Sequence, residues 1–289
     1  MALNCPYYHR NSVIADVVNL YGGRHGRTII FCETKKEANE ILLKANLKQE
    51  TQVLHGDIPQ KQREVTFQSF KAGNLKCLVA TNVAARGLDI PEVDLIVQLE
   101  PPKEIDTYIH RSGRTGRAGK SGVCLTFFTK TQLSLLERIE RVTKIKMKKI
   151  GPPQPGDIVK ASARDIVISL KQVEHSVLQY FNEIAEEMIA EEGAVQALST
   201  ALAFISGNTK KISQRSILCS IEGYITYMIK TPTEFQSPGF VYSFLRKNTS
   251  EDLSESVKGM RRIGKKSAAF DVPENYKPQM EKLMAEVQK

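Results

Sequence analysis

Thr28-Ile29-Ile30-Phe31-Cys32-Glu33-Thr34 is the stretch that decides how the first half of the chain folds. Its first five residues are apolar or β-branched without a break. That is the pattern of a strand buried on both faces, as in a parallel sheet. Thr34 then offers a hydroxyl to cap a helix running to about Ala45. The same unit recurs outward from it. Strand patterns at Thr51–His55, Cys77–Thr81, Val93–Leu99 and Gly122–Phe128 alternate with helix patterns over about 59–73, 104–112 and 131–144. Pro59 suits the first residue of a helix and Gly73 suits its end. Alternation at this spacing predicts an α/β domain over residues 1–150, a doubly wound parallel sheet.

Gly151-Pro152-Pro153-Gln154-Pro155-Gly156 marks the clearest boundary, because successive prolines remove amide donors and fix φ. Residues 157–207 read as a helical module. Ser162 and Asp165 have capping-box spacing, and Gly193 ends one helix. Val177, Phe181, Ile184 and Met188 make one apolar stripe, and Val195, Leu198, Leu202 and Ile205 make another. Faces this wide must dock, either within the chain or on a second copy. Residues 208–289 read as a small α+β domain. Its strands are expected within Ser216–Lys230, Val257–Arg262 and Ser267–Val272, the last two joined by a hairpin at Gly264-Lys265, and its helices at Pro238–Lys247 and Lys277–Gln288.

The length of 289 residues suits two or three domains. No apolar run is long enough for a membrane span, so no membrane partner is expected. Five scattered cysteines without a CxxC pair speak against a disulfide framework and a structural zinc site, and no metal ligands are assigned. The net charge of +9 is uneven. Residues 1–150 carry 24 basic and 15 acidic side chains, residues 151–205 carry 3 and 8, and residues 206–289 carry 14 and 9. A polyanion should meet the first segment, with a weaker basic site near the end.

Three motifs carry chemistry. In His110-Arg111-Ser112-Gly113-Arg114-Thr115-Gly116-Arg117, glycines let the backbone approach an anion, and permanently charged guanidinium forks match phosphate oxygens. Ala80-Thr81-Asn82-Val83-Ala84-Ala85-Arg86-Gly87-Leu88-Asp89-Ile90-Pro91 follows a buried strand, where open α/β sheets bind ligands. Thr81 can donate a hydroxyl hydrogen bond there, and Asp89 can accept from a ribose hydroxyl. His55-Gly56-Asp57 with Gln60 and Arg63 sits where a strand end meets a helix N-terminus, a setting that favours phosphate.

These segments, taken in order, resemble the second RecA-like lobe of a DEAD-box RNA helicase. The strand Thr28–Thr34, the His55 to Arg63 group, the Ala80–Pro91 stretch and the arginine motif match four successive family motifs. His110 opening the arginine motif is similar to the DEAD-box branch of the superfamily. Asn82 departs from the family's usual aspartate. With the sequence beyond residue 157, it resembles the Gu branch, the nucleolar RNA helicase II group, whose last domain has an RNA-recognition-motif-like fold. The resemblance implies that Arg114 and Arg117 reach the γ-phosphate of ATP, that Asp89 touches its ribose beside Gly87, and that His110 couples to the other lobe. It also implies that Arg63 and Thr81, with Thr34 and Gly56 nearby, hold RNA phosphates. Its cofactors would be ATP and Mg²⁺, held mainly by the first lobe. Its partners would be RNA and that first lobe, with homodimerisation through 157–207. Its location would be the nucleus and nucleolus, or an organelle as in some plant relatives.

The chain contains no GxxxxGK(S/T) and no DEAD tetrapeptide. Gly119-Lys120-Ser121 is a decoy, because Arg114 stands where the phosphate loop needs glycine. This chain alone is therefore expected not to hydrolyse ATP, and it reads as the C-terminal part of a longer helicase. The rival reading is a non-catalytic RNA-binding and oligomerising scaffold. In the last domain, Tyr224 and Tyr227 point to opposite faces of one strand, and Phe270 is the other aromatic candidate, so base stacking is not expected. Arg261, Arg262, Lys265 and Lys266 offer phosphate contacts instead.

Overall fold

The computed structural model describes residues 1–82, 90–116, 121–210 and 212–287. Seven parallel strands form one sheet in the order β3-β4-β2-β5-β6-β1-β7. They are β1 (Ala2–Asn4), β2 (Thr28–Cys32), β3 (Thr51–Leu54), β4 (Cys77–Thr81), β5 (Leu95–Gln98), β6 (Val123–Phe128) and β7 (Lys149–Ile150). Along β2, Ile30 and Cys32 join one core with Val13, Ile41 and Phe127, while Ile29 and Phe31 join another with Leu54, Phe67 and Phe70. Successive residues of one strand thus serve opposite faces, which is why its sequence is apolar throughout. The expectation of a doubly wound parallel α/β sheet holds.

Four helices frame the site: α1 (Arg10–Val17), α2 (Lys35–Lys44), α3 (Gln60–Ala72) and α4 (Ile105–Ser112). Thr34 caps α2, its hydroxyl accepting the Glu37 amide at 3.2 Å. Pro59 is the cap residue of α3 rather than its first turn, and Gly73 closes that helix at φ 81°. The chain enters by β1 and α1 and leaves by β7, and the strand–helix pattern of the sequence reveals none of the three. The two strands are three and two residues long, too short to show a period.

The helix α5 (Leu133–Thr143) follows β6, and α6 (Pro155–Leu170) opens the helical module. Pro155 starts α6 early, so Ser162 and Asp165 lie inside it and form no cap. Asp165 instead accepts the Arg24 amide of the sheet domain at 2.7 Å. After it come α7 (His175–Leu178), α8 (Asn182–Glu192) and α9 (Ala194–Ile205). The chain breaks at Phe181, so the stripe from Val177 to Met188 does not lie on one continuous helix. Gly193 ends α8 as expected. Among the described residues no single helix is long and apolar enough to cross a membrane; α8 and α9 reach that length only together, bent by 116°.

A three-stranded antiparallel sheet, in the order β8-β10-β9, forms the last unit from β8 (Tyr224–Lys230), β9 (Lys258–Arg262) and β10 (Ser267–Pro273). The helices α10 (Gly239–Asn248), α11 (Glu251–Ser256) and α12 (Lys277–Val287) cover one face around Phe270, Val241 and Leu283. Residues 216–223 are not strand. Ser216 and Thr226 both donate to the carboxylate of Asp271, at 2.5 and 2.6 Å, and tie this segment across the open sheet face. Tyr227 stacks on Phe270 in the core, whereas Tyr224 lies under the Lys258 ammonium, so the two tyrosines do part to opposite faces. An ion pair between Asp16 of α1 and Arg215 connects this unit to the sheet domain.

Candidate active and nucleic-acid site

The site lies along the carboxyl edge of the large sheet. Parallel strands end there together, and the strand order changes direction between β2 and β5. Thr34 follows β2, Gly56 follows β3, and Thr81 is the last residue of β4. Since β3, β4 and β2 are neighbours, these three positions share one stretch of edge. Arg63 lies on the first turns of α3, and its guanidinium donates to Gln60 Oε1 at 3.1 Å. Thr34 and Gly56 are exposed, Arg63 is half-buried, and Thr81 is buried at 7% exposure.

Local bonds fix this edge. The Glu37 carboxylate accepts the Glu33 amide while the Thr34 hydroxyl accepts the Glu37 amide, a reciprocal cap. Burial raises the Glu37 carboxyl above the ordinary range. Lys35 donates to Asp57 at 2.7 Å, which holds the Asp57 carboxyl low and joins α2 to the turn after β3. His55 Nε2 lies 3.1 Å from Asn39 Oδ1 and makes a second such link.

The arginine motif ends α4 and turns back toward β6. His110 is exposed and Arg114 is half-buried. The Arg114 amide donates to the Arg111 carbonyl at 3.1 Å, and the Arg114 carbonyl accepts the Val93 amide at 3.0 Å. Among the described residues no hydrogen bond or ion pair occupies the Arg114 guanidinium. The Thr115 hydroxyl donates to the Val93 carbonyl. A Cβ at Gly122 would stand 2.0 Å from Thr115 Oγ1 and 2.6 Å from the Gly116 amide, so glycine there lets the motif sit against the start of β6. Gly87, Asp89 and Arg117 lie outside the described residues.

Arg111 is the part of the site that the motif reading passed over. It is 3% exposed and joins three strand ends. Its Nη2 donates to Glu33 Oε1 at 2.9 Å, its Nε to Asn82 Oδ1 at 2.8 Å, and its Nη1 to Gln98 Oε1 at 3.4 Å. The guanidinium also lies 5.0 Å from the centroid of the Phe31 ring. Two signals were present in the sequence. Arg111 is three residues after Tyr108, on the buried side of α4, and Gln98 is the lone polar residue of β5.

Three family descriptions match the chain in succession: the helicase conserved C-terminal domain over residues 12–119, the DDX21/DDX50 dimerisation domain over 154–205, and the GUCT domain over 207–288. A nucleolar RNA helicase 2 from Mus musculus is 47% identical over 94% of this chain and 32% of its own length. An ATP-dependent RNA helicase DDX50 from Homo sapiens is 42% identical over 99% of this chain and 38% of its own. A solved C-terminal domain of the DEAD-box protein Dbp5 is 32% identical, covering 60% of this chain and 96% of that one with a TM-score of 0.47. The sheet edge and its arginine motif are those of a helicase C-terminal lobe. The three successive matches and the curated relatives show that the chain belongs to the DEAD-box RNA helicase family, with the nucleolar RNA helicase 2 and DDX50 group. It spans about a third to two-fifths of the length of those relatives.

Proposed function

We propose that the chain is the second lobe and C-terminal appendage of an ATP-dependent RNA helicase that remodels RNA, ribosomal RNA foremost, in the nucleolus. One observation carries this reading. Thr34, Gly56 and Thr81 share the carboxyl edge of the sheet, and the arginine motif is tied to that edge through Arg111. The Arg111 guanidinium bonds Glu33 and Asn82 and the Arg111 carbonyl accepts the Arg114 amide, while the Arg114 guanidinium has no partner among the described residues. An anion bound by one can therefore be sensed by the others. Arg114, together with Arg117 of the same motif, neutralises charge developing on the γ-phosphate, an effect worth about 10³–10⁵ in rate in phosphoryl transfer. Asp89 and Gly87 meet the ribose side of the nucleotide, and His110, exposed at the end of α4, faces the first lobe. Arg63, Thr81, Thr34 and Gly56 take RNA phosphates.

The residues present fit ATP in part. They supply cations and glycine turns for phosphate, while Mg²⁺ and most nucleotide contacts fall to the first lobe. ATP supplies the free energy of closure, and this chain contributes charge and strand-bending contacts on closing.

The helical module supports pairing of two copies. Tyr180 is 77% exposed, Val195 82% and Phe204 75%, and Phe181, Ile184 and Leu198 are exposed beside them. These apolar side chains occupy the segment that matches the dimerisation family. The domains are then the lobe over 1–150, the pairing module over 157–207 and the appendage over 208–289. The appendage offers Arg261, Arg262, Lys265 and Lys266 to RNA phosphate.

Steady-state ATPase of a chain that carries the first lobe ahead of this one tests the function. Stimulation by single-stranded RNA is expected. RNA binding and oligomerisation with no turnover in any condition would replace it by the scaffold reading.

A further inference from the structure

We propose that Arg111 is a positioning residue for ATP hydrolysis, with Glu33 as its carboxylate partner among the described residues, and that this pair links RNA-side and nucleotide-side residues. The proposal rests on the reading of Arg114 as the residue that meets the γ-phosphate. The geometry has three parts. Arg111 is almost wholly buried, and its carbonyl holds the Arg114 amide at 3.1 Å, so its place sets where the Arg114 backbone begins. Its Nη2 and Nε reach Glu33 and Asn82, the immediate neighbours of Thr34 and Thr81. Its third partner, Gln98, ends β5 on the other side of the point where strand order reverses. One guanidinium thus joins both RNA-side strand ends to the root of the arginine motif.

Charge sharpens the assignment. A guanidinium cannot lose its proton, so burying it demands a counter-charge. Asn82 and Gln98 are neutral, and Glu33 is the only carboxylate that pairs with Arg111 among the described residues. Glu33 is itself 36% exposed at the side chain, on the edge that RNA would cover. An Asp at position 82 would place a second carboxylate at Nε. The asparagine there leaves the whole duty to Glu33.

The test uses the helicase with both lobes and four variants: Glu33→Gln, Arg111→Lys, Asn82→Asp with Glu33→Gln, and Arg114→Ala. ATPase is measured at saturating RNA over a range of ATP. A small misplacement of a catalytic group can cost about 100-fold. Glu33→Gln and Arg111→Lys are accordingly expected to lower kcat about 10- to 100-fold, with KM for ATP changed much less. Adding Asn82→Asp to Glu33→Gln is expected to recover most of that loss, because a carboxylate again meets the guanidinium. A merely structural role for Glu33 would not be rescued from position 82, so an unrescued loss overturns the proposal. Wild-type kcat in both single variants overturns it as well. Arg114→Ala separates the two layers. If it retains turnover, the reading of Arg114 fails. If it abolishes turnover while Glu33→Gln does not lower it, only the positioning role fails.

Discussion

At the scale of single residues, the site depends on close approach and on satisfied buried charge. Gly122 shows the first. Alanine there would bring a methyl within 2.0 Å of Thr115 Oγ1, next to the Gly116 backbone. We expect Gly122→Ala to cost about 1–3 kcal/mol in thermal or urea unfolding and to lower ATPase in the two-lobe protein, because the motif must shift. Asp271 shows the second. It is fully buried and accepts from Ser216 and Thr226. Asp271→Ala leaves the buried Ser216 hydroxyl and the half-buried Thr226 hydroxyl without their acceptor and should cost about 1–3 kcal/mol, read in the unfolding of the last unit. Neither role is visible in the sequence. Gly122 looks like an ordinary turn before a strand, and Asp271 looks like a polar interruption within one. Both gain their meaning from partners at a distance, across the fold. Arg111 is the intermediate case: its type and motif were legible, but its burial among strand ends was not.

At the scale of elements, the central strands and their helices were legible because each is buried on one consistent pattern. Thr28–Cys32 and Cys77–Thr81 form strands over the very residues the apolar runs predict. The two-residue β7 and the segment 216–223 were not legible. The first is too short for periodicity, and the second is held by side-chain bonds to Asp271 rather than by a ladder. The Ser162–Asp165 spacing misled because Pro155 nucleates α6 two turns earlier. Thr34 has two duties at this scale, helix cap and proposed RNA contact. Thr34→Ala should cost about 0.5–2 kcal/mol in stability, while Thr34→Ser should keep the cap and most of the stability. Thermal unfolding of both variants checks this, and equal losses in the two would deny Thr34 the capping role.

At the scale of the whole molecule, charge and exposed apolar surface divide the labour. The basic excess lies on the sheet domain, where the arginine motif and the RNA-side strand ends also lie. The helical module is acidic overall and exposes Tyr180, Phe181, Val195 and Phe204, which suits pairing with a second copy rather than with RNA. Light scattering of this chain should give about twice its 32.4 kDa mass at micromolar concentration. Val195→Glu with Phe204→Glu should return the single-chain mass with the chain still folded by circular dichroism, since both side chains are exposed within one chain. A single-chain mass for the unaltered protein at every concentration would show that the exposed faces do not pair.

The central claim is that this lobe completes an ATPase by bringing Arg114 to a nucleotide held elsewhere. Single-turnover ATP hydrolysis by the two-lobe helicase, with RNA saturating and Arg114→Ala compared with the unaltered protein, tests it most directly. The account predicts a rate lowered about 10³-fold or more, with RNA affinity little changed. Hydrolysis at an unaltered rate would contradict it.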